Sequence, residues 1–215
     1  MVVVILIGIL TMMAIPAMSD AHYNARTLDD ATKIAEIYRE GRTRAMARGA
    51  AMLVQLSTAN LVNSFVAAPA PGNGGLGVVF LSEARAVAGG LLPLPVGSPL
   101  SSCGSPATSW FGAAPTSVLI DEVNLNQTSE VQAQIWSTVN DGSGAAPAVA
   151  SLCFTPLGRV YYLPTATPTF TPGVNVLNGE LQIAVQRSGI AGNGVTGLTR
   201  TVIVPASGST RIVSR

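Results

Sequence analysis

The first eighteen residues, MVVVILIGILTMMAIPAM, contain no charged side chain. As a helix they would span about 27 Å, close to the ~30 Å hydrocarbon core of a bilayer. A helix this apolar on every side must be covered by lipid or by protein. The segment therefore reads as a membrane-spanning helix. A secretory signal peptide would open on basic residues and close on a small-x-small site. Here Met1 leads straight into the apolar run, and Ala14-Ile15-Pro16-Ala17-Met18 is only loosely permissive for cleavage. Pro16 removes a backbone donor and predicts a bend in the helix.

Beyond this run the charge is unevenly placed. Residues 20–57 are close to balanced, residues 58–157 carry one arginine against five acids, and residues 158–215 carry five arginines against Glu180. Charged residues make up only 11% of the chain, against a norm of about 25% in soluble domains. That composition excludes a coiled coil, an acidic tail protein and a histone-like nucleic-acid binder. The net charge of +1 gives no bulk attraction to DNA or to a membrane surface.

Residues 20–57 read as the continuation of the helix. Leu28, Ala31, Ile34 or Ala35, and Tyr38 recur at spacings of three and four, which marks one apolar face. Asp29, Asp30, Lys33, Glu36, Glu40 and Arg44 fill the remainder. Lys33 is spaced to pair with Asp29 or Asp30, and Glu40 with Arg44; such pairs add only tenths of a kcal/mol. The pattern predicts one helix from Met1 to about Ala47, followed by a buried strand at Met52–Leu56. Arg42 and Arg48 are expected on a solvated helix face.

From Ser57 onward short apolar runs alternate with Gly- and Pro-rich turns. Strands are expected at 77–81, 117–120, 131–136, 159–163, 181–186 and 201–204, with the cleanest period-two alternation in Leu181–Gln186. Such a series predicts an antiparallel sheet. Residues 67–77 and 88–106 have loop composition, and Thr165–Pro172 (TATPTFTP) reads as a stiff polar connector.

The quoted residues carry a resemblance. Met1-Val2-Val3, Gly8-Ile9-Leu10 and Ile15-Pro16 fall in register with the N-terminal helix of type IV pilins and type II secretion pseudopilins. Glu40–Gly49 followed by Val54-Gln55-Leu56 is similar to the second half of the helix and first strand of GspH/FimT-type minor pilins, with Arg44 where that family has a glutamate. Cys153–Val160 resembles the family's Phe-x-Pro-x-Gly-x-Val turn and strand, and residues 179–186, 200–204 and 208–212 its terminal hairpin. The similarity covers residues 1–56 and 152–215; residues 57–151 are idiosyncratic.

The resemblance implies an α+β pilin fold: a long N-terminal helix, transmembrane in its first half, packed on antiparallel sheet. Residues 1–18 would be the membrane half of the helix, 19–50 its amphipathic half and 51–215 the globular β domain. Val4, Ile5, Gly8, Ile9, Leu10 and Pro16 would lie in the membrane and later in the filament core. The chain begins about where the family's seventh mature residue stands. The resemblance therefore implies a longer gene product whose leader is cut by a prepilin peptidase.

The candidate chemistry is sparse. Gly72–Gly77 satisfies G-x-G-x-x-G, but Ala67-Ala68-Pro69-Ala70-Pro71 precedes it and no acid follows at the required distance, so it reads as a hairpin-like loop. His22 is the only histidine, which leaves no Ser-His-Asp or Cys-His unit and argues against zinc. Asp121 and Glu122 are adjacent, so on a strand they would face opposite sides; they read as solvated loop charge, with a calcium-ligand role as the alternative. Cys103 and Cys153 are the only cysteines, and an even count in an exported domain predicts a disulfide. Arg187, Arg200, Arg211 and Arg215 cluster in the last part of the chain. Some minor pilins of the family act in DNA uptake through a Gly-Arg-x-Arg motif there; Gly208-Ser209-Thr210-Arg211 lacks its first arginine.

The expectation is a non-enzymatic minor pilin or pseudopilin without cofactor or metal. It would be anchored in a bacterial inner membrane with its domain in the periplasm, and its partners would be other pilins through the helix. It would later join a type IV pilus or a type II secretion pseudopilus. The alternatives are a DNA-receptor minor pilin, which rests on the C-terminal arginines, and an anchored exported enzyme or sugar-binding domain, which would need a clustered polar site.

Overall fold

The computed structural model describes residues 2–58, 77–86, 95–104, 110, 117–125, 135–144, 146–171, 173–188 and 195–214; for residues 2–17 and a few others this covers the backbone alone. One α-helix, α1 (Val2–Arg48), is followed by nine strands: β1 (Met52–Ser57), β2 (Val78–Ala84), β3 (Ser117–Asn124), β4 (Ile135–Asn140), β5 (Val149–Phe154), β6 (Val160–Leu163), β7 (Glu180–Ser188), β8 (Val195–Pro205) and β9 (Arg211–Ser214). The described residues are thus α+β, with one N-terminal helix packed on antiparallel sheet.

The helix runs unbroken through Pro16 and stops at Gly49. Gly49 adopts φ 66°, and its N–H donates to the Ala45 carbonyl at 3.1 Å. A left-handed residue at this place caps the helix, and glycine takes it without a Cβ penalty. Arg48 in the last turn suits the negative end of the helix dipole.

The strands form two sheets rather than the single one expected. The first has the order β3-β2-β1-β5-β6 and the second β4-β7-β8-β9. Neighbouring strands within both are antiparallel. Both turn one face toward α1. Ala31, Ile34, Ala35 and Tyr38 of the helix share one core with Val54, Leu56, Leu81 and Leu152 of the first sheet and Leu181, Ile183, Val185, Val202 and Val204 of the second. Leu28, expected on the apolar face, is exposed, and Thr27 takes the buried place one position earlier. At β6 and β4 the two sheets are joined by Tyr162, whose hydroxyl donates to Asp141 Oδ2 at 2.9 Å. That bond and burial push the Tyr162 hydroxyl well above its ordinary pKa, burial being the larger cause.

A second core lies on the opposite face of the first sheet. It gathers Ala51, Leu53, Ala84, Leu100, Cys103, Trp110, Cys153, Tyr161 and Phe170. Strand β1 is therefore buried on both faces, which explains its poor alternation: Met52, Val54 and Leu56 face the helix, and Leu53 faces the second core. Cys103 and Cys153 form a disulfide with Cα atoms 6.0 Å apart. It ties the 95–104 loop to β5, and the Trp110 indole N–H donates to the Cys103 carbonyl at 3.0 Å.

Two local expectations are corrected. The strand expected at 131–136 is Ile135–Asn140, and residues 131–134 lie outside the described residues. Asp121 and Glu122 stand within β3, an outer strand of the first sheet, rather than in a loop. Gly77, the last glycine of the G-x-G-x-x-G match, immediately precedes β2. A Cβ there would stand 2.1 Å from the Ser57 carbonyl oxygen, so close backbone approach excludes a side chain. Residues 72–76 lie outside the described residues.

Candidate functional site

The feature with functional content is the helix that leaves the domain, together with the contacts that hold it. The sheets engage α1 from Asp20 to its C-terminus. At Asp20 the end of the β7–β8 hairpin grips the helix. Arg187 Nη1 lies 2.9 Å from Asp20 Oδ1, and its guanidinium carbon sits 4.0 Å above the Tyr23 ring. A cation held this way over an aromatic face contributes about 0.5–1 kcal/mol at a partly exposed site. One turn on, the Leu198 N–H donates to Asn24 Oδ1 at 3.4 Å. Gly197 permits this contact, because a Cβ there would lie 3.0 Å from that oxygen.

The middle of the helix is fastened to the last turn of the chain. Arg39 donates from Nε and Nη2 to the Thr210 carbonyl at 3.3 and 3.1 Å. The Arg42 side chain passes under the Ser207–Ser209 turn; a Cβ on Gly208 would meet Arg42 Cδ at 3.0 Å. Asp30 is only 14% exposed, and desolvation raises its pKa to about 6 despite Lys33 nearby. The Lys33–Asp29 and Arg44–Glu40 pairs form as spaced.

At the C-terminal end Arg48 Nη1 lies 2.8 Å and Arg85 Nη2 3.1 Å from Glu83 Oε2, on a carboxylate only 4% exposed. A buried carboxylate left unpaired would be costly, and the two arginines offset that cost. Arg48 is exposed, as expected of a solvated face, and also pairs with a buried charge, whereas Arg42 is half-buried and packs beneath a turn. Glu83 stands among buried apolar neighbours in β2.

The C-terminal arginines do not converge. Arg187 is used inside the molecule, against Asp20 and Tyr23. Arg200 pairs across the ladder with Ser214, and its Nη1 donates to the Ser214 hydroxyl. Arg211 pairs with Ile203 and lies 3.6 Å from Glu180. Partners in an antiparallel ladder share a face, and faces alternate along a strand. Arg200 is therefore on the helix-facing side with Val202's alternate neighbours, and Arg211 is on the other side. Arg215 lies outside the described residues. His22 is exposed and stands edge-on to Tyr23 at 5.8 Å. Among the described residues no group of three His, Cys, Asp or Glu could hold a metal ion.

The apolar run itself is helical in backbone from Val2, but the side chains of Val4, Ile5, Gly8, Ile9, Leu10 and Pro16 lie outside the described residues. Among the described residues no helix is long and apolar enough to cross a membrane. No family model, no curated protein and no solved structure matches this chain.

Proposed function

We propose that the chain is a structural subunit of a pilin-like filament, a minor pilin or pseudopilin of the GspH/FimT type. The observation that supports this reading is a division of labour along one helix. From Asp20 onward α1 is held by ion pairs, a cation–π contact and a shared core. Ahead of it stands an uncharged run of helix whose one described side chain, Met18, is 74% exposed. In lipid that run would anchor the subunit, with the domain on the periplasmic side of a bacterial inner membrane. In a filament it would exchange lipid for the helices of neighbouring subunits. Exchange of this kind is driven by close packing, because lipid tails are as apolar as the side chains they contact.

The reading assigns no reaction, metal or cofactor. A leader-cutting prepilin peptidase and other pilins are the partners it requires. The arginine geometry gives the DNA-receptor reading little support, because Arg187 is committed to the helix and Arg200 and Arg211 lie on opposite faces. The test is co-sedimentation. Filaments sheared from cells that make this chain should carry it at low copy, and deletion of the prepilin peptidase should remove it from them. A chain absent from sheared filaments and from the assembled secretion machinery in either background would end the proposal.

A further inference from the structure

The segment 164–171, PTATPTFT, follows β6 and crosses the first sheet on the face turned away from the helix. Exposure alternates from Thr165 onward. Thr165, Thr167, Thr169 and Thr171 are exposed, Ala166 is half-buried, and Pro168 and Phe170 are buried. The backbone is fastened from below. Gln55 Nε2 donates to the carbonyls of Thr165 and Ala166 at 3.4 and 2.9 Å, and Ser151 Oγ donates to the Thr165 carbonyl at 2.7 Å. Phe170 sits in the second core, edge-on to Tyr161, and is bridged to Gly104. The Thr171 N–H donates to Asn175 Oδ1 at 2.7 Å.

Some threonine hydroxyls elsewhere in the chain bond to backbone, as short polar side chains commonly do. Thr27, Thr32 and Thr58 each donate to a carbonyl. The four hydroxyls of this segment form no hydrogen bond with another described residue. They stand on a segment whose carbonyls and apolar side chains are anchored while every second side chain faces solvent. The surroundings are neutral: residues 160–179 contain no charge. A phosphothreonine would bring about −1.5 to −2 charges and is stabilised by arginines, and this stretch supplies none.

We infer that Thr165, Thr167, Thr169 and Thr171 form an acceptor site for O-linked glycosylation. A threonine Oγ1 attacks the anomeric carbon of a diphosphate-activated glycosyl donor. The new carbon–oxygen bond forms as the bond from that carbon to the diphosphate oxygen breaks. The diphosphate leaves with the electron pair, the hydroxyl proton passes to a base of the transferase, and nothing is oxidised or reduced. The fold supplies an acceptor that needs no local unfolding: Pro164 and Pro168 keep the segment out of helix, and its anchors hold alternate side chains outward. The site lies across the sheet from the helix, so the inference stands whether or not the chain enters a filament.

The sequence makes the test sharp. Trypsin cutting after Arg159 and Arg187 releases a peptide, 160–187, in which these four threonines are the only serine or threonine residues. The full chain is purified from the cells that naturally make it, and the mass of this peptide is measured. The expected result is a peptide heavier by one or more whole sugar residues, with the increment removed by alkaline β-elimination. The combined variant Thr165→Val, Thr167→Val, Thr169→Val and Thr171→Val should return to the unmodified mass while the Cys103–Cys153 disulfide, internal to the tryptic peptide 86–159, still forms. Recovery of the native peptide wholly at its unmodified mass overturns the inference. So does an increment that a phosphatase removes, or one that persists in the combined variant.

Discussion

Replacing Gly41 by alanine sets two opposing effects against each other at one atom. Gly41 lies inside α1, where alanine favours the helix by about 1 kcal/mol. A Cβ at this position would stand 2.6 Å from Val54 Cγ2, 3.3 Å from Leu81 Cδ1 and 3.6 Å from Phe154 Cδ2. Val54 is fully buried, and its strand is paired on both sides. Its branched side chain is stiff at χ1, so the contact opens only if the helix or β1 moves. Overpacking of this kind costs about 1–3 kcal/mol. The clash should win, with a net loss of about 1 kcal/mol, which lowers Tm by about 2–4 °C in a chain of this size. The assay is thermal unfolding of the purified full chain in detergent, followed by circular dichroism. Val54→Ala removes the methyl that is struck, so the double variant should be more stable than the sum of the single losses by at least about 0.5 kcal/mol. If Gly41→Ala raises Tm, and the two changes are additive, α1 does not approach β1 as described.

Three further outcomes follow from the same contacts. Reducing the disulfide, or replacing Cys103 and Cys153 by serine, should cost about 4 kcal/mol for a loop of this length; hydrogen exchange should rise first at 95–104 and in β5, before the helix-facing core responds. Tyr38 has its hydroxyl fully buried without a hydrogen-bond partner among the described residues, so Tyr38→Phe should be neutral or stabilising by up to about 1 kcal/mol in urea unfolding. Asp30, with its pKa raised to about 6 mainly by desolvation, holds a proton in the folded chain that the unfolded chain releases; stability should therefore fall as pH rises from about 4 to about 6, and Asp30→Asn should flatten that slope in a series of Tm measurements.

Some of this architecture is legible in the sequence because it is local. The helix end is written in Gly49, and the half-buried β7 in the alternation of Leu181, Ile183 and Val185 with Gln182, Ala184 and Gln186. The division into two sheets is not local. β1 lies beside β5 through pairs such as Gln55 with Ser151, far apart in the chain, and periodicity reports which face is buried but not which strand is the neighbour. For the same reason Val149–Phe154 is weakly signalled: it is buried on both faces and shows no alternation. The candidate site divides in the same way. The apolar run declares itself from composition, whereas the commitment of Arg187 to Asp20 and Tyr23 depends on how the hairpin meets the helix. Thr165–Thr171 looked like a connector because its anchors, Gln55 and Ser151, belong to other strands.

The central claim is that the charge-free run becomes a core shared between subunits, and cysteine cross-linking in cells tests it most directly. Ile9→Cys places a thiol in that run, and Leu157→Cys places one on the domain surface, where the side chain is 89% exposed. The account predicts that oxidation joins Ile9→Cys chains to another filament subunit carrying a cysteine at the matching helix position, only in cells that assemble the filament, while Leu157→Cys gives no such product with that partner. A soluble chain that is not retained by membranes and forms no Ile9→Cys cross-link in assembling cells would contradict it.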